Sequence, residues 1–219
     1  MPSRTTPSTA TGGSAETAAE SETVKVDPRF VRSRAQLHAA VLALAAERAL
    51  AEISISDITD WAGVNRATFY QHYREKDGLL ADAMNSALTQ ELGLLRAGRA
   101  AHGSGDTPES QLISYFRHID RHRAVYRRAL GPQGSALVIT QVRENLEESV
   151  IRGMRPPIED DVPVWLRAAF LAGALMGMVT AWVRSDNEYS PEAIGDAARQ
   201  LLTEDRSRLS RAGDDPPGE

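Results

Sequence analysis

Ser54-Ile55-Ser56-Asp57-Ile58-Thr59-Asp60-Trp61-Ala62-Gly63-Val64-Asn65-Arg66-Ala67-Thr68-Phe69-Tyr70-Gln71-His72-Tyr73-Arg74-Glu75-Lys76 is the stretch that decides the fold. It reads as a short helix, a tight turn at Gly63 and a second short helix, the layout of a helix-turn-helix. Ser54 and Ser56 can accept backbone N–H groups at the start of the first helix, and Asp57 places negative charge at its positive end. Ile55, Ile58 and Ala62 recur at spacings of three and four and form one apolar stripe. Gly63 occupies the place where a chain leaving a helix often needs positive φ, and Val64 can pack back into the core. Asn65 is a good N-cap for the second helix, whose Phe69 and Tyr73 share a face and can dock against the first.

The remaining faces of that second helix carry Arg66, Ala67, Thr68, Tyr70, Gln71 and His72. Arg66 can bridge guanine O6 and N7, Thr68 can meet a thymine methyl or a phosphate, and Tyr70 and His72 can reach phosphates or base edges. Ala67 permits close approach to a groove. From Gly63 to Leu80 the spacing Thr-Phe-Tyr-x-His-Tyr-x-x-Lys-x-x-Leu-Leu closely resembles that of the tetracycline-repressor (TetR) family of bacterial transcription regulators. The resemblance is specific from about Ser33 to Leu80; beyond that it is one of architecture. It implies DNA contacts at Ser54, Ser56, Asn65, Arg66, Ala67, Thr68, Tyr70, His72 and Lys76, with Lys76 opening the next helix and touching a phosphate. Trp61 departs from the pattern, since a smaller or polar residue is more usual there.

The 219 residues suffice for one fair-sized domain or two small ones. Cysteine is absent, which excludes disulfides and thiolate metal sites and suits a cytoplasmic protein. A net charge of −5 argues at first against a nucleic-acid partner. The acidity lies elsewhere, however: residues 25–85 carry eight basic and eight acidic side chains. Lys25, Arg29, Arg32 and Arg34 gather at the start of the first helix, where they can neutralise phosphates.

Residues 1–28 are expected to form a disordered tail. The first 24 are rich in Ser, Thr, Ala and Gly, with no Leu, Ile or Phe to bury and no apolar run for a secretory signal. The end of this arm, near Lys25 and Arg29, could touch a minor groove. Residues 29–78 form the three-helix DNA-binding domain, with Val31, Ala35, Leu37, His38, Val41, Leu42, Ala45 and Leu50 as the core-facing repeat of its first helix. Residues 79–209 form a helical regulatory and dimerisation domain, and residues 210–219 a frayed tail. The chain is therefore expected to be all-α, with about nine helices.

A connector helix is predicted from Lys76 to about Arg99, then a Gly- and Ser-containing break, then a helix from Pro108 to about Leu130 capped by Asp106 or Thr107. That helix supplies the effector-site candidates Tyr115, Phe116, Ile119, His122 and Tyr126, with Met178 and Trp182 from a later helix. Most of these also suit plain core packing. His118 and His122 lie four apart but lack the helical glutamate of zinc hydrolases and any evident further ligand, so no metal and no cofactor is expected. Arg117, Arg121, Arg123, Arg127 and Arg128 read as a solvated face, some of them near the DNA-side helices.

Another helix is expected from Ser135 to Arg152, followed by an acidic, proline-punctuated loop around Glu159-Asp160-Asp161. The uncharged run from Ala168 to Val183 is sixteen residues long, short of the roughly 20 that cross a bilayer. It therefore reads as a helix buried in protein. Within it Ala169, Gly173, Gly177 and Ala181 recur every four positions as a smooth stripe, and Ile194, Ala198 and Leu201 face one side of a last helix that starts at Ser190. These two helices are the expected dimer interface; intrachain core packing is the alternative.

Three function classes follow. First is a sequence-specific, homodimeric transcription regulator, in the resembled family usually a repressor, bound to a palindromic operator and released by a small molecule. Second is a ligand-independent or activating DNA binder. Third is an all-α enzyme, disfavoured because no nucleophile elbow, phosphate loop or zinc motif is present.

Overall fold

The computed structural model describes residues 27–101, 107–153, 162–185 and 189–212. Residues 1–26 of the expected N-terminal tail, the acidic loop at residues 159–161 and the last residues of the C-terminal tail lie outside these, as does the break at residues 102–106; the last two tail residues, Asp27 and Pro28, belong instead to the start of α1. Among the described residues the chain is all-α: α1 (Pro28–Glu47), α2 (Ile55–Ala62), α3 (Arg66–His72), α4 (Lys76–Ala101), α5 (Pro108–Arg121), α6 (Arg123–Ala129), α7 (Ala136–Gly153), α8 (Val164–Arg184) and α9 (Pro191–Ala212). A 3-10 turn, Leu50–Glu52, joins α1 to α2.

The first three helices assemble for the reasons their sequence gives. Asp27 caps α1, accepting the Arg29 N–H at 2.8 Å, and Pro28 stands in the first turn, where a missing N–H costs nothing. Ser54 Oγ accepts the Asp57 N–H at 3.0 Å while Asp57 Oδ2 accepts the Ser54 N–H at 2.9 Å, a reciprocal cap that sets the start of α2. Gly63 closes α2 at φ 65°, ψ 34°, the left-handed conformation that a side chain disfavours. Leu37, Val41, Leu44, Ile53, Ile58 and Phe69 then bury fully or almost fully between α1, α2 and α3. Val31 and Ala35 do not join them: both are exposed, because the core contact of α1 begins one turn later, at Leu37.

Beyond α3 the layers are α1 and α7 against α4, α9 against α5, and α8 against α7 and α6. The helix expected from Pro108 to Leu130 is broken at His122, whose φ of −106° and ψ of 21° end α5 and start α6. Thr107, not Asp106, caps α5: its Oγ1 accepts the Ser110 N–H at 3.1 Å. The arginines there are only partly a solvated face. Arg128 donates to the carbonyls of Ala46 at 2.6 Å and Glu47 at 3.1 Å, satisfying the open C-terminal end of α1. Arg123 does the same for α8 through Trp182 O at 2.7 Å, with its guanidinium 4.9 Å from the Trp182 ring centroid. Arg117 pairs with Glu192, tying α5 to α9.

α8 is longer than the uncharged run because Val164, Trp165 and Leu166 continue it before Arg167. At 21 residues it is long and apolar enough to cross a membrane by length and composition. Nor is it buried all round. One side, with Ala168, Ala172, Leu175, Val179, Trp182 and Val183, is buried, whereas Trp165 is 67% and Phe170 60% exposed.

Candidate nucleic-acid interface

α3 presents a compact polar surface. Asn65 Oδ1 accepts the Thr68 N–H at 2.7 Å and the Thr68 hydroxyl at 3.0 Å, so the N-cap is fixed twice. Phe69 anchors the opposite face, fully buried and edge-on to the Tyr70 ring. That anchor turns Arg66, Ala67, Tyr70 and Gln71 to the outside, all four exposed, with Arg66 Nη2 3.5 Å from the Tyr70 hydroxyl. Three hydrogen-bonding heads and a small residue on one face of a short helix suit base-edge reading in a major groove. A surface groove of about 470 Å3 runs beside it, lined by Arg29, Phe30, Ser33, Asn65, Thr68 and Gln71 among others. Gln71 is the residue that motif matching underrated: exposed on the reading face, its amide suits adenine N6 and N7.

Four expected contacts have partners within the chain. His72 turns back to α1, where its Nε2 shares a 2.8 Å hydrogen bond with Ser33 Oγ and its ring stacks 4.0 Å from Phe30. Burial and then the Arg34 charge push its imidazole below the usual histidine range. Thr68 is half-buried and committed to the cap. Ser54 likewise spends its hydroxyl on Asp57, whereas Ser56 is half-buried beside it.

Lys76 is the fourth case. Its Nζ donates to Ile53 O at 2.6 Å, Leu50 O at 2.7 Å and Ala51 O at 3.3 Å, fastening the start of α4 to the turn before α2. An ammonium with three carbonyls has spent its donors. Lys76→Met is therefore expected to lower unfolding stability by about 1.5–3 kcal/mol in urea titration. The slope of log affinity against log salt should stay unchanged; a fall of about one would put the amine on a phosphate.

A polar cluster holds this head to α4. Asp82 accepts from Arg34 Nη2 at 2.7 Å and Nε at 3.1 Å, lies 3.1 Å from His38 Nε2, and receives the Tyr73 hydroxyl. Burial alone would raise the Asp82 carboxyl, but the hydrogen bonds from Tyr73 and Arg34 outweigh it and hold it below the usual carboxylate range. Sequence reading placed His38 in the core repeat; the structure makes it half-buried and part of this cluster.

Residues 37–83 match the family described as bacterial regulatory proteins of the tetR family, and residues 106–204 match a transcriptional regulator C-terminal region of the same family. The chain is a TetR-family transcriptional regulator. It is 47% identical over 57 residues to an uncharacterised HTH-type transcriptional regulator, YxbF, of Bacillus subtilis strain 168; the match takes in 26% of this chain and 15% of that relative's length. A TetR transcriptional regulator from Streptococcus agalactiae superposes with a TM-score of 0.55 at 19% identity, covering 80% of this chain and 95% of that one. A second, from Rhodococcus sp. RHA1, gives 0.54 at 17% identity, covering 80% and 98%.

In this TetR-family chain the effector candidates do not converge on one space. Tyr115 and Tyr126 line a cavity of about 30 Å3 with Met84, Leu88, Val142 and Leu146. Burial raises both phenols, so their hydroxyls stay neutral donors at ordinary pH. Phe116, Ile119 and Trp182 are core instead, with Phe116 edge-on to Trp182 at 5.7 Å; Met178 packs beside them, half-buried. His122 stands apart, beside His118. The small-residue stripe faces outward: Gly173, Gly177 and Ala181 are exposed and Ala169 half-exposed. On α9, Leu201 is exposed and Ile194 half-buried, but Ala198 is fully buried against α5 and is not available to a second chain.

Proposed function

We propose that this chain is a homodimeric, sequence-specific DNA-binding regulator of the cytoplasm, a repressor where its operator overlaps a promoter, released by a small molecule. The observation that carries the reading is the outward face of α3, where Arg66, Tyr70 and Gln71 stand exposed on a helix whose start, turn and anchor are all fixed. Two such helices about 34–36 Å apart meet successive major grooves, which makes the operator a palindrome. Support for the dimer comes from α8: a β-carbon at Gly173 or Gly177 would meet nothing within 4 Å, so neither glycine has an intrachain reason to be small. The domain division at residue 78 fits this reading only loosely, because α4 packs on both α1 and α7.

The cavity between Tyr115 and Tyr126 is far below the roughly 300 Å3 of an ordinary ligand pocket, so an effector there must part α4 from α7 as it enters. A coupling of about 1–3 kcal/mol between that opening and operator binding suffices for release.

Selection of bound sequences from random DNA by the purified protein tests the proposal, with an inverted repeat as the expected product. Arg66→Ala should then weaken the selected site by about 1–3 kcal/mol and relax one base position per half-site. Unchanged affinity and preference in that variant would remove α3 from the interface.

A further inference from the structure

We propose that Glu91, His118 and His122 form a binding site for a divalent transition-metal ion of the zinc class. Glu91 comes from α4, His118 from the last turn of α5 and His122 from the junction between α5 and α6. One donor atom from each lies within 4.8 Å of the other two. The two imidazoles face each other at 4.6 Å between centroids, and His118 Nδ1 is 2.8 Å from Glu91 Oε2.

The chemistry of the cluster is unusual for plain packing. His118 has a side chain only 1% exposed, yet it stands beside a second histidine and a carboxylate. Burial, then the other imidazole, pushes His118 down to about 4; burial and then Arg121 lower His122. Neutral imidazoles are the form that binds a metal. Glu91 is met on Oε2 by His118 and on the buried Oε1 by the guanidinium of Arg121, an exposed side chain at the rim that an arriving cation would have to displace. Two imidazole nitrogens and one carboxylate oxygen, with a fourth position open, suit Zn2+, Co2+ or Ni2+. Mg2+ and Ca2+ prefer all-oxygen shells.

The His122 N–H still donates to His118 O at 3.2 Å, so the helical spacing of four holds both imidazoles on one side of α5 up to the break. Occupancy would clip the outer half of α4 to the junction from which α6 reaches, through Arg128, the end of α1. This inference goes beyond the DNA-binding reading, and its test does not depend on it.

The tag-free full chain, stripped with chelator, is titrated with Co2+ and Zn2+ by visible absorption and calorimetry. One ion per chain is expected, with Co2+ bands that Zn2+ abolishes and excess Mg2+ does not. Glu91→Gln and His122→Ala, checked for native circular dichroism without metal, should each lose more than the roughly 10- to 100-fold that removing an outer partner costs. No stoichiometric binding, displacement by Mg2+, or unaltered affinity in either folded variant would overturn the site and leave a hydrogen-bonded cluster only.

Discussion

Leucine at both Gly173 and Gly177 is expected to give a folded monomer that has lost its operator. In the single chain both positions open on nothing within 4 Å, so the substitution creates no clash inside the fold. Each change also removes a mid-helix glycine, which favours α8 by up to about 1 kcal/mol. In a helix crossing built on a smooth stripe the same two side chains overpack the contact by about 1–3 kcal/mol each, and the exposed Phe170 nearby loses its cover. Since a half-site alone holds only one reading helix, loss of the dimer should cost operator affinity at least about a hundredfold at fixed protein concentration. Sedimentation and operator titration check both halves. A double variant that remains dimeric at nanomolar concentration would move the interface off this stripe.

Phe69→Ala is expected to have the largest effect on stability. Phe69 is fully buried and touches the rings of Tyr70 and Tyr73, so truncation empties the centre of the three-helix head. Losses of about 3–5 kcal/mol are usual for such a change, most of what a small domain possesses. Operator binding should fail with it, because the orientation of Arg66, Tyr70 and Gln71 depends on that anchor. Urea unfolding that shows a loss below about 1 kcal/mol would mean that the α3 register is not set by Phe69.

The head was legible in the sequence because its signals are local. Ser54, Gly63 and Asn65 act on neighbours within three residues, and the apolar spacing of Ile58, Ala62 and Phe69 leaves one orientation for the helices. The intrachain partners of Lys76 and His72 were not legible for the converse reason: Leu50, Ile53 and Ser33 lie 23 to 39 residues away. The effector candidates suffered likewise, since a stripe of Phe116, Ile119 and Tyr126 cannot say which members meet a cavity and which meet Trp182. Glu91 did leave a trace. It interrupts the apolar stripe of α4 between Leu88 and Leu95, and a charge in such a stripe signals a buried polar partner from another helix.

The cluster of Arg34, His38, Tyr73 and Asp82 also has a mechanical meaning. It rivets the end of the reading helix and the first helix to one turn of α4, so the head has no swivel of its own there. At 26 residues α4 is a rod roughly 39 Å long. A tilt of a few degrees imposed at its outer end would therefore carry the whole head sideways by several ångström, without disturbing any side chain that reads a base. In a protein so built, control acts like calipers: the points keep their shape, and only the gap between them changes.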